Sequence, residues 1–411
     1  MQKPHARRLS ARADSDAASD LRSEDIEASH RRDFNESGDV SPRESVPSRH
    51  NGDDGAPLEM VAPCFRNTRG GFGMSERRTP SIKDVAERAG VSYQAVSRIL
   101  NGGGRASEET RQRVLAVAQE LGYRRNAYAR ALVTRRTLTI GVIADSSPKY
   151  GPVSTLAAVQ AAARAAGYTT LVATVGKPTR EAFDQILREF SEAGIEGIAV
   201  IAPRVELAML AEHSAVGRPV VVLAPGETQV PGAVAFFEDQ EQGARQATRH
   251  LISLGHRNIV HIAGSQDWLD GRVRVRGWQA EMRAAGLPAP RIRYGDWSGD
   301  SAYAIGREMC DEGLPSAVFV ASDLMALGFL RALYERGVRV PDDLSIVGFD
   351  DNEFAAQMFP PLTTVRQSFA EVGTRCVEVL LDLLEKREPN LEPMTPTLVI
   401  RESTAAVNTR A

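Results

Sequence analysis

Ile82-Lys83-Asp84-Val85-Ala86-Glu87-Arg88-Ala89-Gly90-Val91-Ser92-Tyr93-Gln94-Ala95-Val96-Ser97-Arg98-Ile99-Leu100-Asn101 is the stretch on which the reading of this chain turns. Two short apolar-periodic segments flank Gly90, a residue type that lets the backbone turn sharply. Ser92 is a good N-cap for the second segment. On a helical wheel that segment divides: Tyr93, Gln94, Ser97 and Arg98 share one face, and Ala95, Val96 and Ile99 share the other. The pattern is a helix-turn-helix. Arg can bond guanine O6 and N7 as a fork, and Gln can do the same to adenine N6 and N7. An ordinary three-helix knot with a solvated polar face gives the same wheel, but the charge favours DNA. Residues 79–136 hold eleven Lys/Arg against five Asp/Glu, a balance of +6, on a chain whose net charge is −3. A basic module on an otherwise acidic chain is the electrostatic footprint of a DNA-binding head.

The remainder of the chain sets bounds. With 411 residues, 42% of them hydrophobic, it can bury large cores and is expected to hold more than one domain. Cys64, Cys310 and Cys376 are widely spaced, which fits a reducing cytoplasm and neither a disulfide framework nor a structural zinc site. No run of eighteen apolar residues implies a membrane span, and the polar N-terminus lacks a signal-peptide core. Residues 1–76 are rich in Ser, Arg, Asp and Glu and poor in apolar side chains, so disorder is expected there. Met74 is expected to be the true start, because the Gly70-Gly71 codons just upstream can supply a purine-rich ribosome-binding sequence.

Several motifs match together: Ile82-Lys83-Asp84-Val85-Ala86, Ala89-Gly90-Val91-Ser92, Val96-Ser97-Arg98, Asn101, Ser107 through Arg111, and Leu121-Gly122-Tyr123. In these the segment resembles the DNA-binding head of the LacI/GalR family of bacterial transcription regulators, and the resemblance continues to near Thr404. It implies that Tyr93, Gln94 and Arg98 make the major-groove contacts, with Ser97 and Asn101 beside them, and the Tyr-Gln pair resembles the lac-repressor subtype. Residues 79–125 form the head. Residues 126–137, too short to be a stable helix alone, form a hinge helix and linker. The resemblance implies that the hinge folds when two protomers sit on operator DNA, with Leu132 wedged into a minor-groove step and Ala129 and Arg130 lining that groove.

From Leu138 the pattern alternates. Apolar β-branched runs at 139–143, 170–173, 197–201, 220–223, 259–262, 317–320 and 345–347 are separated by helical stretches, which implies parallel α/β sheets. The length suggests two lobes. The resemblance implies a periplasmic-binding-protein-like pair over 138–404, serving effector binding and dimerisation, with ligand in the cleft. Chain crossings between lobes are expected near 235–238 and 365–367, with 264–265 as a loop facing the cleft. The fold class expected is therefore an N-terminal all-α helix-turn-helix head followed by an α/β two-lobed domain with parallel sheets.

No catalytic constellation, phosphate loop, metal motif or cofactor fingerprint is present, so neither an enzyme nor a cofactor is expected. A transport-type solute-binding protein is opposed by the attached head. For the cleft, Arg274 suits a bidentate grip on sugar hydroxyls and matches the family's effector-contacting Arg. Trp297 and Trp268 offer faces for the apolar side of a sugar. Asp323 fits a family motif in which Ser322 replaces the usual Asn, and Asp350 occupies the position of the family's ligand carboxylate. Gln367 and Phe369 flank the cleft, and Tyr150 and Ser154 lie at a helix start on the other lobe. Arg and Asp with flanking aromatics suit a neutral polyol better than a nucleobase. The chain is thus expected to be a cytoplasmic repressor, released from operator DNA by a saccharide; a corepressor-dependent regulator or an activator of the same fold is the alternative. A homodimer through helices near 152–166 and 323–336 is expected, since no leucine heptad follows Thr404.

Overall fold

A computed structural model describes residues 80–100, 106–123, 131, 136–211, 217–225 and 231–407. The tail 1–76 with Cys64 and Met74, and the head and hinge residues Asn101, Ala129, Arg130 and Leu132, lie outside the described residues.

The head is three short helices. Helix α1 (Ile82–Ala89) opens on a capping box: the Asp84 N–H donates to Ser81 Oγ at 3.4 Å and the Ser81 N–H donates to Asp84 Oδ2 at 2.6 Å. It closes at Gly90, whose φ of 64° is left-handed and whose N–H bonds the Ala86 and Glu87 carbonyls. Helix α2 (Tyr93–Leu100) starts at Ser92, which accepts the Ala95 N–H at 3.2 Å. Helix α3 (Glu108–Glu120) is capped by Ser107, with Glu108 and Glu109 at its positive end. Val85, Val96, Ile99, Leu100 and Val114 form the core between them.

The first lobe is a five-stranded parallel sheet of β1 (Thr139–Asp145), β2 (Thr169–Val175), β3 (Gly197–Ile201), β4 (Val220–Leu223) and β5 (Val234–Phe236), in the order β2-β1-β3-β4-β5. Helices α4 (Tyr150–Ala165), α5 (Arg180–Glu192) and α6 (Val205–Ala211) connect its strands. The preceding linker is anchored at the amino edge of this sheet: Arg136 donates to Glu196 at 2.9 Å, and the Leu138 N–H donates to the same carboxylate at 2.9 Å.

The second lobe has β6 (Ile259–Ala263), β7 (Arg293–Tyr294), β8 (Ala317–Val320), β9 (Ser345–Asp350), β10 (Thr363–Arg366) and β11 (Thr397–Val399) in the order β11-β10-β9-β8-β6-β7, with only β11 antiparallel. Helices α7 (Gln240–Ser253), α8 (Leu269–Ala284), α9 (Gly299–Glu312) and α10 (Asp323–Glu335) belong to it. Helix α11 (Phe369–Leu384) packs instead on α4, β3 and β4 of the first lobe.

The chain therefore crosses between lobes three times. The first two crossings, at 237–239 and 367–368, fall beside the expected places. The third lies between α11 and β11, around Met394, in a stretch whose prolines interrupt any periodicity. The 264–265 loop joins β6 to α8 within the second lobe. The strands β5, β7, β10 and β11, of two to four residues, are too short for alternation to reveal.

In both sheets the strand order reverses, about β1 in the first and about β6 in the second. In open α/β sheets the crevice at the carboxyl ends, next to such a reversal, is where ligands bind. Gly264, just past β6, allows the closest packing there: a Cβ on it would lie 2.2 Å from Trp297 Cζ2. Gly264→Ala should cost about 1–3 kcal/mol by overpacking and displace the Trp297 indole. Thermal unfolding and tryptophan emission of the variant check this; unchanged values for both would mean the contact relaxes freely.

Candidate functional sites

On the head, Tyr93, Gln94 and Arg98 are exposed along one side of α2, while Val96, Ile99 and Leu100 are buried on the other. Ser97 is half-buried between the two faces. The Arg98 Nε–H donates to the Gln94 carbonyl at 3.3 Å, which lays the guanidinium along the exposed face. The surface carries side-chain donors and acceptors of the types that can bond base edges.

The second site is a cavity of about 390 Å³ between the lobes, at the carboxyl ends of both sheets. Its organising group is Arg274, in the second turn of α8 rather than at a strand end, and only 3% exposed. Nε and Nη2 donate to Gln240 Oε1 at 3.0 and 2.7 Å, and Nη1 donates to the Ala321 carbonyl. The guanidinium lies 3.7 Å from the Phe349 ring centroid, with Trp297 at 5.6 Å. Asp350 Oδ1 is 3.6 Å from Nη2. Gln240 donates to Gln367 at 2.8 Å, and Gln367 donates to Asp350 Oδ1 at 2.7 Å. These four side chains close a ring of polar contacts. A buried cation needs such partners, because its desolvation is otherwise uncompensated.

Asp350 sits at φ 110°, and Asp351 follows at φ 53°. Side-chain-bearing residues in this region cost about 1–3 kcal/mol each and persist only where the surroundings hold them. Here Asp351 is held by Arg366 and Arg401, each at 2.6 Å. Burial pushes the Asp350 carboxyl up to about 6, with Arg274 opposing.

Aromatic side chains wall the cavity. Trp268 and Trp297 have centroids 5.8 Å apart at 55°, and Tyr150 meets Phe369 edge-on at 5.5 Å. Ser322 lines the wall while capping α10 through the Met325 N–H. Eight of the ten cleft residues singled out in the sequence thus border one cavity: Tyr150, Trp268, Arg274, Trp297, Ser322, Asp350, Gln367 and Phe369. Two do not. Ser154 lies one turn along α4, bonded to Tyr150. Asp323 is fully buried, accepting the Asn352 N–H at 2.8 Å and the Thr364 hydroxyl at 2.6 Å, so its oxygens are spent on holding β9 and β10.

The cavity also brings in groups that the sequence reading passed over. Gln240 completes the ring around Arg274. Asp270 stands one helical turn before Arg274 on α8, a spacing visible in the sequence, and burial raises its carboxyl with Arg274 opposing. Glu238 lines the cavity at the first crossing. Its Oε1 accepts the Ser368 N–H at 2.9 Å, while its buried Oε2 has no hydrogen-bond partner among the described residues.

The family profile of lacI-type bacterial regulatory proteins matches residues 81–126, and a periplasmic-binding-protein-like domain matches 248–404. Over 332 residues the chain is 34% identical to the lactose operon repressor of Escherichia coli K12, covering 80% of this chain and 92% of that one. The chain belongs to the lacI family. It is a DNA-binding transcription regulator with an effector-type α/β domain. Among solved structures, the lac repressor dimer bound to operator and the anti-inducer ONPF superposes with a TM-score of 0.71 at 32% identity, covering 80% of this chain and 100% of that one. A complex of the regulator CelR with cellobiose gives a TM-score of 0.58 at 31% identity, covering 79% of this chain and 99% of that one. Among the described residues no helix is long and apolar enough to cross a membrane.

Glu238 carries a pH signature. Burial pushes its carboxyl up to about 7, opposed by the Ser368 N–H and Arg274, with Glu371 and Asp350 adding to the rise. The folded state therefore holds this proton where the unfolded chain has released it. The stability Glu238 contributes is present in acid and lost as pH rises through about 7. Glu238→Gln should accordingly gain melting temperature relative to the parent chain between pH 5 and pH 8. A difference that stays constant over that range would show an ordinary, solvated carboxylate.

Proposed function

We propose that this lacI-family regulator is a cytoplasmic repressor that sits on a pseudo-palindromic operator as a homodimer and is released by a saccharide. The observation that carries the reading is the cavity itself: indole and phenyl walls against a fixed set of amide, carboxylate and guanidinium groups, the pairing of apolar face and polar edge that a sugar ring presents. The lac repressor and CelR, whose structures were solved with operator and anti-inducer and with cellobiose respectively, support it by likeness.

In this reading Tyr93, Gln94 and Arg98 read each half-site from the major groove, with Ser97 and Asn101 beside them. Ala129, Arg130 and Leu132 act in the minor groove once the hinge has folded. Tyr150, Trp268, Arg274, Trp297, Ser322, Asp350, Gln367 and Phe369 surround the sugar. Dimerisation uses the face of α10, where Leu324, Leu327 and Tyr334 are exposed, together with Phe359, which is 94% exposed. So large an apolar side chain in water is the mark of an interaction surface. Phe359→Asp should give a monomer by sedimentation at concentrations where the parent chain is dimeric; an unchanged dimer would remove Phe359 from the interface.

The effector reading is tested by fluorescence anisotropy on the gene's own upstream region, titrated with and without mono- and disaccharides. One sugar should weaken binding, and by linkage the operator should weaken that sugar's affinity by the same factor. Tighter binding in its presence would make it a corepressor. Gln94→Ala should relax discrimination between operator variants by about 1–3 kcal/mol, leaving the sugar response intact. Equal discrimination before and after the substitution would mean that Gln94 contacts no base.

A further inference from the structure

We infer that Glu238 is a ligand-contacting residue of the hinge, whose free carboxylate oxygen accepts a hydroxyl of the bound sugar and ties that hydroxyl to the crossings between the lobes. The inference rests on the saccharide reading and deepens it by naming the contact through which occupancy reaches the hinge.

Three observations carry it. Glu238 is 5% exposed and borders the cavity, yet Oε2 has no partner among the described residues. A buried acceptor left unsatisfied is costly, and buried polar atoms in folded proteins are nearly always paired. The neighbouring donors are already committed: Arg274 to Gln240, Ala321 and Asp350, and Gln367 to Asp350. Oε2 therefore faces the cavity as an acceptor open to a donor brought by the ligand, and a sugar hydroxyl is one.

The third observation is position. Glu238 is in the first crossing. Its Oε1 holds the Ser368 N–H of the second crossing at 2.9 Å. Its backbone pairs with Met394 of the third, where the Asp239 N–H donates to the Met394 carbonyl at 2.7 Å. One residue thus touches the ligand cavity and is joined, by its side chain to the second crossing and by its backbone to the third, to all three connections between the lobes. A hydroxyl bound at Oε2 acts on the hinge directly, without a relay through either lobe.

Glu238→Gln keeps an oxygen for Ser368 but replaces the free acceptor by a donor amide. Glu238→Asp keeps the charge and withdraws it by one methylene. Far-UV circular dichroism of the variants without sugar serves as the control for folding. Calorimetric titration above pH 7, where Glu238 has released its proton, with the sugar that releases the parent chain and with its monodeoxy analogues, reads the contact. The parent chain should lose roughly 10- to 100-fold in affinity when one particular hydroxyl is removed. Both variants should lose a similar factor for the intact sugar and nothing further for that analogue, and saturating sugar should release them less completely from the operator. Variants that bind the intact sugar like the parent chain, or that lose the same factor for every analogue, overturn the contact while leaving the saccharide reading in place. A parent chain that binds no sugar overturns the saccharide reading, and this inference with it.

Discussion

A guanidinium buried to 3% exposure inside a two-lobed protein must be satisfied on the spot. Removing one partner of such a buried charge costs about 3–5 kcal/mol. Arg274 is satisfied by a carbonyl at the end of β8, by Gln240 just after the first crossing, and by Asp350 at the end of β9, with Gln367 of the second crossing closing the ring. The cavity is consequently not a gap left between two independent lobes. Its polar edge is one connected set of groups, drawn from the second lobe and from the hinge, and the first lobe contributes mainly apolar wall. Asp350 and Asp351 in left-handed backbone conformations are consistent with this: the turn after β9 is held where Arg274, Arg366 and Arg401 require it.

Much of this was legible in the sequence because it is local. The helix-turn-helix is specified within about twenty residues by the Ser92 cap, Gly90 and one apolar stripe, and each of these acts where it was read. Strands such as β3, β4 and β8 are continuous apolar runs, buried along their whole length, and could be placed to the residue. What escaped is non-local. Asp323 looks like a ligand carboxylate in its motif, but its donors, the Asn352 N–H and the Thr364 hydroxyl, come from 29 and 41 residues away and claim it for the core. Glu238, between Phe237 and the cap residue Asp239, carries no pattern of its own; only the meeting of three crossings gives it meaning. The third crossing escaped for a related reason, since a proline-broken stretch has no period to read.

The electrostatics of the cavity follow from the same geometry. Glu238, Asp270 and Asp350 all have carboxyls raised by burial, and Arg274 opposes the rise in each. Arg274 is the buried cation that these three acids share, while Lys149 is a second basic side chain in the cavity lining. The raised carboxyls give the cavity a hydrogen-bonding edge that matches the hydroxyls of the proposed sugar. The aromatic walls then decide between candidates of equal polarity, because a ring with an apolar face stacks on Trp297 or Trp268 and an open-chain polyol does not.

Transmission to DNA is constrained by where the first lobe is held. At its carboxyl edge the sheet meets the cavity and the three crossings; at its amino edge Glu196 grips Arg136 and Leu138, the end of the linker. Between these edges run parallel strands with fully buried cores, which resist bending because close-packed interiors have no slack. A change in lobe angle at the crossings must therefore reappear at the linker as a displacement of the whole first lobe. Coupling between effector and operator is set by the free energy the ligand spends differently on the two lobe angles, and the groups able to sense that angle are those joined to a crossing: Gln240, Gln367 and Glu238.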